Sequence, residues 1–360
     1  MADGCTRCEA PCAGCDTRTG AVCHRAAMTS TTLHTRFTEA YGLTTPVAQA
    51  GMAFVGMTPD LAVAVSEAGG LGAVGVGLMP PPALAGLIAA VRARTAKPFN
   101  VNLITPLATV DHVAVACEAG VPVVSFHWGH PSRAWIDRLH AAGVRVFEQV
   151  GSTVDARRAA DDGVDVIVAQ GQEAGGHNFA TLPTFVLVPL VVDAVAPTQV
   201  LASAGIADGR GLAAALMLGA DGAWVGTRFV ATTESQAHDG YKERLVTASA
   251  TATALTGIFG PENPRFNPTR VLRNRVVTEW HDRLADIGPD QPVIGHTTLG
   301  GVDVEMRRFS NLVPMRDATT GDLEEMALLA GQGVGLVGTI EPAATVVETM
   351  TARAAELLAR

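Results

Sequence analysis

Aromatic residues make up only 5% of this 360-residue chain and charged residues only 17%, while 48% is hydrophobic. Such a chain must fill a large interior mostly with small aliphatic side chains. Basic charge is scarce as well: 26 Lys and Arg face 35 Asp and Glu, for a formal net charge of −9. The cations are scattered, which argues against a nucleic-acid or anionic-membrane surface and leaves a small ligand held in a pocket. Long apolar runs are missing too. Ala68 to Val91 carries no charge, but Gly69, Gly70, Gly72, Gly75, Gly77 and Pro80 to Pro82 make it a strand, a turn and a helix start rather than a membrane span. The N-terminus lacks the apolar core of a secretory signal, so a cytoplasmic protein is expected. Nothing in the composition speaks to the oligomeric state.

Beyond residue 23 the only cysteine is Cys117. The other five form Cys5-x2-Cys8-x3-Cys12-x2-Cys15 with Cys23 beyond. Paired C-x-x-C spacing suits zinc or an iron–sulfur cluster. These pairs lie too close together for a zinc ribbon, however, and almost no large apolar side chain is at hand to pack around a metal. Residues 1–28 are therefore expected to be a disordered extension holding no metal, and residues 29–360 a single domain.

From Pro46 to Val230 short β-branched runs alternate with helical patterns, the signature of βαβ units and a parallel sheet. Eight strands are expected: Val47 to Ala50, Leu71 to Val76, Phe99 to Ile104, Val121 to His127, Val144 to Val150, Val164 to Gln170, Gln199 to Ala204 and Gly222 to Phe229. Gly120, Gly143, Gly163 and Gly219 each close a helical pattern just before a strand, as left-handed C-caps do. Eight such units imply an α/β fold of the (β/α)8 barrel type, with active-site groups on the loops after the strands. Residues 250–333 break the rhythm. They read as a helical insertion after the eighth strand, with helical spacing over Thr269 to Leu284, that could cover the barrel mouth. Glu341 to Arg360 reads as a closing helix that packs back on the barrel.

Chemistry concentrates at three glycine-bearing strand exits. Gln170-Gly171-Gln172-Glu173-Ala174-Gly175-Gly176-His177 puts one imidazole behind a Gly-Gly turn, where it can exchange a proton near neutral pH. Ala204-Gly205-Ile206 with Asp208-Gly209-Arg210-Gly211, and Trp224-Val225-Gly226-Thr227-Arg228, follow the seventh and eighth strands. Barrels commonly hold phosphate there through backbone N–H groups and a helix N-terminus. Together the two turns predict a phosphate-bearing cofactor.

These three segments resemble the nitronate monooxygenases, formerly called 2-nitropropane dioxygenases, over roughly Leu43 to Arg360. The resemblance implies a flavin mononucleotide (FMN)-dependent (β/α)8 barrel that oxidises alkyl nitronates, with nitroalkanes as the wider substrate class, by dioxygen to a carbonyl compound and nitrite. It implies His177 as the catalytic histidine and Asn102 and Gln170 at the isoalloxazine, with Ala50, Gly51 and Met52 against its face. Gly175 and Gly205 would line the ribityl-phosphate path, and Trp224, Val225, Gly226 and Thr227 would close around the phosphate. A sister family, the flavin-dependent enoyl-acyl-carrier-protein reductases, shares the glycine-rich loops, so a nicotinamide-dependent reductase of an enoyl thioester or a quinone is the alternative. Val124-Ser125-Phe126-His127-Trp128-Gly129-His130-Pro131 favours the first family while departing from it at His127, Trp128 and His130, which suit either substrate contacts or a polar rim. Arg228 suits an anion clamp or a salt-bridged rim, and Glu173 carries the same ambiguity.

Overall fold

The computed structural model describes residues 32–263 and 267–360. The cysteine-rich stretch and the expected domain boundary near residue 28 lie outside the described residues. Strands β1 (Val47–Gln49), β2 (Gly72–Gly75), β3 (Phe99–Ile104), β4 (Val123–His127), β5 (Arg145–Val150) and β6 (Val166–Gln170) are followed by the two-residue β7 (Gly176–His177), then β8 (Gln199–Ser203) and β9 (Gly222–Val225). All except β7 join one parallel sheet in the order β1-β9-β8-β6-β5-β4-β3-β2. A parallel bridge between Ala48 and Leu71 brings its two edges together, with Gln49 N–H donating to the Leu71 carbonyl at 2.9 Å and Leu71 N–H to that of Val47 at 3.0 Å. The eight expected strands are these eight, trimmed at their ends, and the protein is a (β/α)8 barrel. The expected eighth strand overran: after Val225 the amides of Phe229 and Val230 both donate to the Gly226 carbonyl, which winds Thr227–Val230 into a helical turn.

Gly120, Gly143, Gly163 and Gly219 all have φ between +58° and +92°, the left-handed conformation in which a Cβ is costly. Each turns the chain from a helix into the next strand. Inside the barrel, Phe147 and Trp224 pack with Ala48, Val123, Val168 and Leu201. Helix Arg36–Tyr41 closes the N-terminal end, setting Phe37 6.1 Å and Tyr41 5.2 Å from the Phe147 ring. Trp224, 6.4 Å from Phe147 on its other side, forms the floor of the opposite mouth.

Residues 250–333 fold differently from expectation. Thr269–Leu272, expected to be helical, is strand β11, antiparallel to β10 (Thr253–Thr256) on one edge and to β7 on the other. Partners on both edges satisfy its backbone and override the helical spacing. That spacing is realised only in helix Arg275–Trp280, capped by the Asn274 side chain. A further sheet joins β12 (Val293–Leu299), β13 (Val302–Arg307) and β14 (Thr319–Gly321). The insertion is therefore mainly β. Helix Ala343–Leu358 packs back as expected, burying Val346, Val347 and Met350 against residues of helices Pro59–Glu67 and Gly209–Met217. Among the described residues no helix is long and apolar enough to cross a membrane.

Candidate active site

Polar side chains stand at or near the C-terminal ends of the strands: Asn102 on β3, His127 on β4, Gln149 on β5, Gln170 on β6 and Ser203 on β8. They converge on a cavity of about 280 Å³ at that face of the barrel. Ala50, Gly51 and Met52 border it after β1, and Tyr241, Leu312, Leu329, Gly331 and Gly333 roof it. His177, Gly175, Gly205, Trp224, Gly226 and Thr227 line the same space. Of the residues expected at the site only Val225 lies elsewhere. A strand turns alternate side chains to opposite faces, and Val225 points into the core beneath Leu61, Leu212 and Phe229. Its carbonyl is taken by Ala50 N–H at 2.8 Å.

The histidine loop is held from several sides. Asn178 donates from Nδ2 to the Gly171 carbonyl at 3.0 Å, and Gln332 N–H donates to the Glu173 carbonyl at 2.9 Å. The Arg270 guanidinium donates from Nε and Nη2 to the Gln172 carbonyl at 3.2 and 3.0 Å. Through β11, Thr269 and Arg270 pair with His177 and Gly176. The Glu173 carboxylate is the N-terminal cap of helix Thr184–Val195, accepting from the Thr184 amide and, at 2.9 Å, its hydroxyl. Glu173 thus serves the loop's architecture and lies outside the cavity.

Two imidazoles face the cavity, and Trp128 lies between them. Its ring centroid is 4.9 Å from that of His127 and 3.7 Å from that of His177. Nε2 of each histidine is buried and has no hydrogen-bond partner among the described residues. Burial favours the neutral imidazole, lowering His127 to about 4 and His177 to about 3, the latter assisted by His127. His130 behaves differently. It sits outside the cavity, with Nδ1 2.8 Å from Glu148 and Nε2 2.7 Å from Asp162. Burial raises the Glu148 carboxyl to about 7 against the pull of His130. Arg228 is no anion clamp: it donates to the Thr339 carbonyl and to Glu341 at 2.8 and 2.7 Å.

Asn102 and Asn100 both donate from Nδ2 to the Ser125 hydroxyl at 2.8 Å, which fixes the Asn102 amide at the cavity wall. A Cβ on Gly51 would fall 2.1 Å from the Asn102 side chain, and one on Gly175 2.4 Å from the Gly331 nitrogen. Gly205 has φ +71°, and Gly333 crosses it so closely that a Cβ there would meet its backbone at 3.1 Å. The helix after the Gly205 turn offers less than expected, because Asp208 caps its first amides and pairs with Arg210. The result is a largely uncharged, glycine-walled cavity with amide side chains on one flank, which fits a planar heteroaromatic group carrying a phosphate. The expected residues were legible as polar interruptions of apolar strands. Gln149 follows Glu148 in a strand that begins with Arg145, which masks it as a lone polar interruption, and Tyr241, Leu312 and Leu329 carry no local signal at all.

The family model described as Nitronate monooxygenase matches residues 34–114 and 108–353. A Mycobacterium tuberculosis relative, the (3aS,4S,5R,7aS)-5-hydroxy-7a-methyl-1-oxo-octahydro-1H-indene-4-carboxyl-CoA dehydrogenase, is 40% identical over 248 residues, covering 68% of each chain. Among solved structures, FabK from Thermotoga maritima superposes with a TM-score of 0.75 at 37% identity, covering 91% of this chain and 98% of that one. A nitroalkane oxidase from Streptomyces ansochromogenes superposes at 0.73 with 28% identity, covering 90% and 99%.

Proposed function

Since the chain belongs to the nitronate monooxygenase family of flavin-dependent oxidoreductases, we propose that it oxidises alkyl nitronates with dioxygen to a carbonyl compound and nitrite, with FMN as its cofactor. The observation that carries this reading is the pair of neutral imidazoles, unpartnered at Nε2, in a cavity whose other polar side chains are amides, hydroxyls and indoles, with no charged side chain among the described residues. When bound, the flavin supplies the electron transfer between substrate and dioxygen. Asn102 and Gln170 would hold the ring edges, Ala50, Gly51 and Met52 would support its face, and Gly175, Gly205, Gly226 and Thr227 would hold the ribityl phosphate. Trp224 supports them from below. The Thr227 hydroxyl accepts from Gly331 N–H at 3.0 Å and keeps its own proton to donate.

His177 acts on the substrate as a hydrogen-bond donor. An imidazole held to about 3 is a weak base for a carbon acid. With Nε2 carrying its proton it orients and stabilises the nitronate oxygens. The pre-formed nitronate, which needs no deprotonation, is accordingly preferred over the neutral nitroalkane. The enzyme works in the cytoplasm, where both substrates are small diffusible molecules.

The 37% identity to FabK supports a second reading, nicotinamide-dependent reduction of an enoyl thioester or a quinone. Three measurements on the purified protein test the pair. Heat-released cofactor should be a monophosphate flavin; a nitronate added anaerobically should bleach it; and oxygen uptake with nitronate should need no nicotinamide. Bleaching by a reduced nicotinamide alone, with nitronates inert, would establish the second reading instead.

A further inference from the structure

Strand β4 leaves the barrel through two consecutive residues of positive φ, Trp128 at +68° and Gly129 at +137°. A bulky residue persists in such a conformation only where its surroundings over-determine it. Three tethers do so here. Thr105 donates from N–H to the His127 carbonyl at 2.9 Å and from its hydroxyl to the Gly129 carbonyl at 2.8 Å. The third is His130, whose imidazole bridges two carboxylates: Nδ1 lies 2.8 Å from Glu148 on β5, and Nε2 2.7 Å from Asp162, just past helix Thr153–Asp161. The neighbouring charges pair with one another. Arg158 is 3.0 Å from Asp155 and 3.9 Å from Glu148, and Arg133 is 2.9 Å from Asp137 and 3.9 Å from Asp162. Among the described residues the imidazole alone hydrogen-bonds the Glu148 carboxylate, and Glu148 is 1% exposed. An ionised carboxylate only accepts hydrogen bonds, and a neutral imidazole has one N–H to give. Both contacts are hydrogen bonds together only while the three groups share one proton beyond that state. Burial, which raises Glu148 to about 7, keeps that proton in place toward neutrality. Once it leaves, a carboxylate oxygen faces a bare ring nitrogen inside the protein, and one contact must open.

We propose that His130 is a positioning residue for nitronate oxidation: its bridge between Glu148 and Asp162 holds Trp128 in the left-handed conformation that sets the indole against His177, and loss of the shared proton releases it. The inference rests on the nitronate reading above and adds a control on the imidazole that serves it. His130 lies outside the cavity and acts through Trp128, whose ring is 3.7 Å from that of His177. His127 and His177, lowered to about 4 and about 3, stay neutral while the bridge titrates. Lys242, lowered to about 8 by burial, titrates nearer to it, so a variant must separate the two. In Glu148→Gln the new amide donates to Nδ1 while Nε2–H donates to Asp162, and both contacts persist without the extra proton.

Oxygen uptake with propane-2-nitronate is measured across the neutral range for the flavin-loaded wild type, Glu148→Gln and His130→Ala. A second arm needs no turnover: the Trp128 indole N–H is followed by heteronuclear NMR of tryptophan-labelled protein, its resonance identified by its absence from Trp128→Phe. Wild-type kcat should fall about tenfold as pH rises through about 7, with KM changing less, and the Trp128 resonance should move over the same range. In Glu148→Gln, whatever its absolute rate, both changes should vanish. In His130→Ala the flavin should stay bound while kcat falls about tenfold below the wild type's on the acid side of that range, with the indole resonance displaced. A Glu148→Gln profile that tracks the wild type, or a Trp128 resonance indifferent to pH and to His130→Ala, would overturn the proposal. Should His130→Ala fail to fold, the comparison of Glu148→Gln with the wild type decides alone. If no variant consumes the nitronate, the nitronate reading fails, while the NMR arm still decides whether His130 holds Trp128.

Discussion

The indole of Trp128 stands 3.7 Å from the imidazole of His177, ring centroid to ring centroid, at an interplanar angle of 65°. Trp128 adopts φ +68°, a left-handed conformation that costs a bulky residue on the order of 1 kcal/mol or more. The chain holds it there against that cost, and the ring fixes where the imidazole can turn. His177→Ala should retain flavin, because the proposed cofactor contacts are made by other residues, while nitronate oxidation slows by about 10²-fold, the usual worth of a donor to a substrate anion. Trp128→Phe, which keeps an aromatic wall but loosens it, should cost about tenfold. Oxygen uptake paired with the flavin-to-protein absorbance ratio reads both. Loss of flavin from His177→Ala would make that residue structural.

The acid side of the stability profile should carry the mark of the buried imidazoles. Between pH 6.5, the ordinary histidine value, and about 4, the unfolded chain binds protons at His127 and His177 that the folded chain refuses. Stability therefore falls with acidification by up to about 1.4 kcal/mol per pH unit for each. Glu148 runs the other way. Raised from 4.5 to about 7, it contributes stability that is complete below pH 4.5 and is lost as pH rises through 7. It offsets one imidazole. In His127→Phe the fall over this window should be shallower than in the wild type by up to about 1.4 kcal/mol per unit. Urea unfolding at a series of pH values measures it, and parallel profiles would show that His127 is already hydrated.

Arg270→Ala should unsettle the histidine loop without touching the cavity directly. Two donors to the Gln172 carbonyl disappear, a loss worth roughly 2 kcal/mol for charged hydrogen bonds. The expected outcome is a lower Tm, faster amide exchange over residues 171–177 and a fall in kcat larger than any change in KM. A variant with wild-type kcat would mean that the β7 and β11 pairing alone positions His177.

Gly175→Ala tests the cavity wall. Its Cβ would lie 2.4 Å from the Gly331 nitrogen, closer than packed atoms tolerate. The roof must shift to admit it. Purified variant should contain less flavin than wild type, and its Tm should respond less to added FMN. Undiminished flavin content would show that the roof yields easily at this point.

The barrel was legible because each repeat announces itself: an apolar β-branched run, a helical stretch, and a glycine such as Gly120 or Gly163 whose positive φ only that residue adopts at little cost. The strand-end residues Asn102 and Gln170 were legible for a related reason, since a polar side chain inside a buried strand requires a partner. What was hidden is long-range. Thr269–Leu272 has a helical pattern of its own and becomes a strand because β7 and β10 lie on either side of it. His130 looks like a neighbour of His127 in sequence, yet turns away to Glu148 and Asp162. Val225 follows Trp224 and therefore faces the opposite side of the sheet. For β11 and His130 the deciding contact is with residues far away in the chain and no local window contains it, whereas Val225 follows from the local alternation of a strand.

The antiparallel ribbon that joins Gly176 and His177 to Thr269 and Arg270 bears on how such enzymes can diversify. A lid that merely rests on a barrel can be exchanged as a module. Here the segment that shapes the mouth also fixes the register of the reactive loop, so choice of substrate and placement of the imidazole are inherited together. Transplanting residues 250–333 from a relative would import that relative's histidine geometry along with its specificity. Grafts that keep β11 and change only the turns beyond it leave the two traits free to separate.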